Sequence, residues 1–316
     1  MSGAAAFILL AWAIELAVGW PTWLFKSIRH PVVWLGHLIT LLDTALNRSA
    51  WRWGLRYSAG AVATLVTVAS ATGAAVVISR LCPPTWWGIF AEAIIASSLI
   101  ASRSLHEHVS AVAEPLAAGD LEAARQAVSM IVGRDPKQLD SSAIARASLE
   151  SLAENASDGV IAPVFWGAIF GLPGITAYKA INTLDSMIGH RTERHEAFGG
   201  FAARLDDLVN LIPARLTGFL FVTASFSAQA FKTMLRDANR HRSPNAGWPE
   251  AAMAGGLNIR LSGPRQYGND VSREPWLNEG ARDPGAQDVT AGLKLYWRAL
   301  AIAAAILALI ALGQAL

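Results

Sequence analysis

The sequence predicts an all-α, polytopic integral membrane helix bundle with broken or re-entrant helices and large helical or irregular cytoplasmic loops. Of 316 residues, 53% are hydrophobic and only 16% are charged, against roughly a quarter charged in an ordinary soluble domain. The apolar residues also gather in long runs, four nearly free of charge and two interrupted by proline and glycine. About 20 such residues cross a bilayer as a helix. A soluble enzyme is therefore argued against, and the lipid bilayer is the first expected partner. The single cysteine, Cys82, excludes an intramolecular disulfide and any multi-cysteine metal site. A net charge of +2 gives no reason to invoke nucleic acid, and none is expected as a partner.

The first run, 3–20, lacks the basic start and small-residue cleavage site of a secretory signal, so a retained membrane helix carrying Glu15 is expected. Run 58–78 is free of charge, and 86–102 includes Glu92. Run 299–312 is nearly pure Ala, Ile and Leu and borrows flanking residues to reach spanning length. Trp20, Trp23, Trp51, Trp53, Trp86, Trp87 and Trp297 lie beside these runs, where an amphipathic indole suits the headgroup layer.

Two further runs differ. Residues 159–178 contain Pro163, Gly167, Gly171, Pro173 and Gly174, and 208–231 contain Pro213 and Arg215. Broken backbone at membrane depth is tolerated where it packs in protein or lines a wet cavity. These two segments are the expected surroundings of a site, although proline and glycine are also simply common in membrane helices.

Lysine and arginine number five in 21–56, one in 80–85, five in 103–158, four in 179–207 and nine in 229–296. The short 80–85 loop is the expected outside one, which puts 21–56 and 103–158 in the cytoplasm. If both broken segments are re-entrant, 179–207 and 229–296 are cytoplasmic too. The organisation that follows is 1–102, N-terminal membrane helices with cytoplasmic loop 21–56; 103–158, a helical cytoplasmic segment; 159–231, broken membrane segments around a catalytic loop at 179–207; 232–296, a basic cytoplasmic loop; and 297–316, a C-terminal membrane helix. Within 103–158, Asp120 is an N-cap and Gly133 a stop, and Asp140 or Ser141 caps a third helix ending near Asn155. Loop 229–296 reads as mostly irregular, with one short helix after Pro249.

Four polar clusters carry the candidate chemistry. Glu150, Glu154 and Asp158 recur every four residues, so on a helix they share one face and repel unless a cation intervenes. Bound Mg²⁺ would supply it; a solvated face with an Arg146–Glu150 pair is the plain alternative. The second cluster holds Lys179, Asn182, Asp185, His190, Arg191, Glu193, Arg194, His195 and Glu196, and the third Arg204, Asp206, Asp207 and Asn210. Acids facing bases in one connection suit phosphates and metal, or a structural ion network. The fourth, with Arg236, Asp237, Asn239, Arg240, His241, Arg242 and Asn245, suits anionic groups or a lipid headgroup contact. No Walker A loop, Rossmann fingerprint, zinc-spaced histidine pair or Gly-x-Ser-x-Gly elbow occurs.

These clusters, in this order and joined to Arg29-His30-Pro31-Val-Val-Trp34-Leu-Gly36, resemble the adenosylcobinamide-phosphate synthase family of cobalamin biosynthesis. The likeness covers about 10–270, with its strongest pieces at Gly133-Arg134-Asp135-Pro136, 150–159, 178–194 and 242–267. It implies a multi-pass protein of the inner (cytoplasmic) membrane. Its reaction would be ATP-dependent amide formation between adenosylcobyric acid, a corrinoid, and (R)-1-amino-2-propanol or its O-phosphate. ATP and Mg²⁺ are the expected cofactors, ATP activating the carboxylate as an acyl phosphate. Glu150, Glu154, Asp185 and Asp206 are the expected catalytic residues. Glu150, Glu154, Asp158, Asp185 and Asp207 would hold metal. Lys179, Asn182, Arg191, Arg194, Arg204, Arg236, Arg242 and Asn245 would bind cofactor. A homo-oligomer, or association with neighbouring enzymes of the pathway, is compatible with it. Two other classes use the same residues: a membrane prenyltransferase holding Mg-diphosphate on Asn182/Asp185 and Asp206/Asp207/Asn210, and a transporter or regulator of related fold.

Overall fold

The computed structural model describes residues 3–131, 139–267, 270–272 and 274–315. In chain order the first helices are α1 (Ala4–Val18), α2 (Thr22–Ile28), α3 (Pro31–Leu46), α4 (Trp53–Leu81), α5 (Trp86–Ser97), α6 (Ser102–Ala118), α7 (Leu121–Ser129) and α8 (Ser141–Asn155). A π-helical segment, Ala156–Ile161, leads into α9 (Ala162–Ile188), followed by α10 (Gly200–Ser225), α11 (Ala228–Asp237) and α12 (Gly247–Leu257). Short strands β1 (Leu261–Ser262), β2 (Arg265–Tyr267), β3 (Asp270–Ser272) and β4 (Trp276–Leu277) precede α13 (Ala286–Ala315). β1 pairs antiparallel with β4, and β2 with β3. Among the described residues five stretches are long and apolar enough to cross a membrane: Trp53–Leu81, Trp86–Ala118, Ser141–Ile188, Gly200–Ser225 and Ala286–Gln314. The protein is all-α and polytopic.

The chain forms two compact units, one of residues 1–101, 162–210 and 307–316, the other of 102–161 and 211–306. In the first unit α4 turns small residues inward: Gly60, Ala63, Thr64, Thr67, Ala71 and Ala75 are buried, while Val62, Leu65, Val66 and Val77 face out. Apolar residues outside and small ones inside are the membrane arrangement, because close backbone approach replaces the hydrophobic drive that lipid removes. α1 is 15 residues long, about 22 Å at 1.5 Å per residue and short of a bilayer's apolar core. It ends at Gly19 and forms with Trp23–Leu46 a pair bent by 106°, so the run expected at 3–20 is one arm of a bent element.

The two interrupted runs behave differently. In α9 the backbone leaves helical geometry at Gly171 (φ 63°, ψ −149°), two residues before Pro173, and this segment is broken as its glycines imply. Pro213, in contrast, sits inside the continuous helix α10. Its missing N–H orphans the carbonyl of Val209, four residues earlier, and the Trp166 indole N–H donates to that oxygen at 3.1 Å. The break falls instead at Phe226 (φ 52°).

In the second unit the expected caps are present: Asp120 Oδ1 accepts from Ala123 N–H at 3.0 Å and Asp140 Oδ1 from Ala143 N–H at 2.8 Å. Asn155 and Gly159 do not end the helix, since the π segment carries it on into α9. The 229–296 stretch is more ordered than its Pro and Gly content suggested, with α11, α12 and two β ladders. Gly133 and the Gly133-Arg134-Asp135-Pro136 piece lie outside the described residues.

A Cβ on Gly60 would overlap the backbone carbonyl of Phe198, an atom that cannot swing away. Gly60→Ala should therefore destabilise by at least about 1–3 kcal/mol, as overpacking does, read as a lower unfolding midpoint in detergent; an unchanged midpoint would mean that α4 does not pack this closely.

Candidate functional site

In the first unit α9 and α10 carry the second and third clusters. Asp206 is only 7% exposed. Asn210, one turn on, donates from Nδ2 to Asp206 Oδ2 at 2.9 Å and accepts at Oδ1 from the Tyr178 hydroxyl at 3.0 Å. The tyrosine thereby fixes which way the amide points, nitrogen toward the acid. Asp206 Oδ1 has no partner at hydrogen-bond geometry among the described residues, although the Asn182 side chain reaches toward the same carboxylate. Asp185 and Asp207 act on Asp206 electrostatically, and Arg191 acts on Asp207. A buried carboxylate oxygen left between like charges is costly unless a proton or cation joins it.

The other basic residues of this unit are employed in different ways. Arg194 directs both Nε and Nη2 at Asp43 Oδ2, at 3.1 and 2.6 Å. Asn47 Nδ2 donates to Asp43 Oδ1 at 2.8 Å and to the Arg194 carbonyl at 3.0 Å. Arg194 thus ties the segment after α9 to α3. Arg204 donates to the Tyr57 hydroxyl at 3.2 Å and lies over its ring. Lys179 is half-buried and acts on His30 electrostatically, while Arg191 is exposed. Asp43 escaped the sequence reading, although a lone acid inside an apolar helix was the available signal.

In the second unit the Glu150, Glu154 and Asp158 row divides. Glu150 is 7% exposed and accepts the Ser262 N–H at 2.6 Å. Glu154 is exposed, and Asp158 is half-buried within the π segment. Such segments recur at functional sites because they re-aim side chains within a helix. Arg146 does not pair with Glu150; it reaches Asp283 at 3.2 Å and lies over the Trp276 ring, as does Arg260. Arg260 also grips Asp283 at 2.9 and 2.6 Å. The Arg260 fork holds the Asp283 carboxyl below the usual carboxylate range, and burial only partly opposes it.

The fourth cluster is organised by Asp237, which is fully buried. Arg236 donates to it at 2.9 and 2.6 Å, Asn278 N–H at 2.8 Å and Arg240 at 3.4 Å. Burial pushes this carboxyl up, but the Arg236 fork and the Asn278 N–H outweigh it and hold it below the usual range. Arg236 is therefore occupied internally. Arg242 is exposed, with Glu274 4.0 Å away. Asn245 is buried, and its N–H donates to Ser243 Oγ at 3.2 Å.

Among the described residues no three His, Cys, Asp or Glu side chains converge to hold a metal ion. Glu150, Glu154 and Asp158 belong to the second unit, Asp185, Asp206 and Asp207 to the first. Mg²⁺ commonly takes one or two carboxylates and completes its shell with water and phosphate oxygens. The donor set at Asp206 fits that demand.

Long apolar helices that carry buried carboxylates and amides define a polytopic membrane protein; in membrane helices generally such groups often mark substrate or ion positions. The chain belongs to the CobD/Cbib protein family, whose model matches residues 8–296. It is 55% identical over 308 residues to the cobalamin biosynthesis protein CobD of Rhodobacter capsulatus, covering 97% of each chain. It is 46% identical over 302 residues to that of Brucella suis, covering 93% of this chain and 92% of the relative. With the Rhizobium meliloti protein it shares 43% over 304 residues, 93% of each. No solved structure matches the chain.

Asp237 gives a pH expectation. Its folded carboxyl is held below the usual value, near 3.9 in the unfolded chain. Its stabilisation is therefore complete above that range and is lost as pH falls through the lower folded value. Asp237→Asn should cost about 2 kcal/mol at neutral pH and flatten the acid limb of the unfolding profile below about pH 4. Identical acid limbs would remove Asp237 from the hub.

Proposed function

We propose that this chain acts in cobalamin biosynthesis as an ATP-dependent acid–amine ligase of the inner (cytoplasmic) membrane. It would join adenosylcobyric acid to (R)-1-amino-2-propanol or its O-phosphate, giving adenosylcobinamide or its phosphate. The observation that carries the reading is Asp206, buried on a membrane helix with one oxygen unpartnered and with Asp185 and Asp207 acting on it. The relatives' name, cobalamin biosynthesis protein, supports the pathway.

When bound, ATP would supply the phosphoryl group that activates the acid, and Mg²⁺ would neutralise the charge gathered in that transfer. Asp206, with Asp185 or Asp207, would hold the metal. Asn210 and Tyr178 keep the Asp206 carboxylate in one orientation. Arg191, exposed and acting on Asp207, would meet phosphate oxygens. The second unit carries its own exposed candidates, the Arg242 guanidinium and the Glu154 carboxylate. Arg194 and Arg236 position backbone through Asp43 and Asp237.

Purified protein given corrinoid acid, amine and Mg-ATP should form amide and consume ATP together. Asp206→Asn should lower the rate by at least about 100-fold, since metal-borne charge stabilisation is worth several kcal/mol, while its unfolding midpoint holds or rises because an uncompensated carboxylate is gone. Corrinoid-independent turnover with a prenyl diphosphate would instead favour the prenyltransferase reading. Arg242→Lys should raise KM for a phosphorylated amine more than for the free amine, since a lysine cannot copy the arginine fork; an equal effect on both amines would place Arg242 elsewhere.

A further inference from the structure

The Arg29-His30-Pro31 stretch joins α2 to α3, and Lys179 of the second cluster acts on its His30. Arg29 has φ 61° and ψ −176°, a region that glycine alone enters without side-chain strain. The surroundings hold it there. Its N–H donates to the Phe25 carbonyl at 2.9 Å. His30 Nδ1 accepts from Val32 N–H at 3.2 Å, its ring stands edge-on to Trp20 at 4.9 Å, and it bonds the backbone of Ser98. From the other side the Trp34 indole N–H donates to the Ile28 carbonyl at 2.9 Å. A glycine would make the same turn with less strain, so the turn itself gives no reason for an arginine.

The side chain gives one. Arg29 and Lys26, one turn before it, are both exposed and form no ion pair among the described residues. On the same short helix Trp23 is 69% exposed, Phe25 47% and Ile28 47%. The bend of 106° between α1 and Trp23–Leu46 turns these residues across the α1 axis, an orientation that suits a helix lying in the headgroup layer. Cations interleaved with outward aromatic and aliphatic groups suit an amphiphile that carries a phosphate above acyl carbons. A free phosphate would leave Trp23, Phe25 and Ile28 with nothing to bury against.

We infer that the elbow at residues 20–34 is a binding surface for anionic phospholipid, with Arg29 and Lys26 on the headgroup phosphate and Trp23, Phe25 and Ile28 among the first acyl carbons. The inference goes beyond the ligase reading and does not depend on it.

The test uses the full chain in nanodiscs of phosphatidylcholine, with and without phosphatidylglycerol. A ligand bound only by the folded form raises the unfolding midpoint. Phosphatidylglycerol should raise the wild-type midpoint by several degrees, and Arg29→Gln and Lys26→Gln should each remove at least half of that rise. Arg29→Gly should unfold at a higher midpoint than wild type in phosphatidylcholine, because the strain is relieved, and should lose the phosphatidylglycerol response. Inorganic phosphate added to phosphatidylcholine discs should have no effect. The inference is overturned by no wild-type response, by an undiminished response in the two glutamine variants, or by a response to inorganic phosphate alone. It is equally overturned if Phe25→Cys in a Cys82→Ser background forms disulfides between chains, which would assign the face to a second copy.

Discussion

A proline gives no N–H to the carbonyl one turn before it, and in α10 the carbonyl exposed by Pro213 is met by the indole of Trp166 at 3.1 Å. In hydrocarbon an orphaned carbonyl costs several kcal/mol, and this contact satisfies the one in α10, which runs on through Pro213. Much of the first unit's polar arrangement follows. Because α10 stays regular, Asp206 and Asn210 stand one turn apart on one face, where the amide meets the carboxylate. Because Asn210 is in turn held by Tyr178 on α9, the acid presents a fixed oxygen rather than a rotating one.

The same economy of partners governs the basic residues. Arg194, Arg236, Arg260 and Arg282 each close a short contact on an aspartate: Asp43, Asp237, Asp283 and Asp288. Three of these acids are buried or nearly so, and removing either member of a desolvated pair leaves an uncompensated charge. Such arginines hold segments of chain in place. Arg191 and Arg242, by contrast, face outward. Charge density along the sequence does not show which guanidinium an aspartate occupies, because the two residues look alike there whether they pair or not.

The strain at Arg29 and the orphaned oxygen of Asp206 are two places where local stability is set aside. Natural folds tolerate such features where another requirement selects them. In Asp206 the cost is electrostatic and lies inside a membrane helix; in Arg29 it is conformational and lies at the C-cap of the short helix α2. Both fall in stretches the sequence marks as polar between apolar runs.

Features set within a turn or two of chain were legible in the sequence. The apolar runs, the Asp120 and Asp140 caps and the break at Gly171 and Pro173 depend on residues no more than about four apart, whose spacing the sequence displays directly. The sequence also marked all four polar clusters. What it did not decide was which members face one another. The Trp166–Val209 contact joins residues 43 apart, Glu150–Ser262 112 apart and Arg194–Asp43 151 apart. Those contacts met the carbonyl that Pro213 frees in α10, buried Glu150 beside a strand and drew Arg194 away from the cluster it adjoins. A hydrogen bond is won within about 3 Å, and only packing of the whole chain fixes which distant residues come that close.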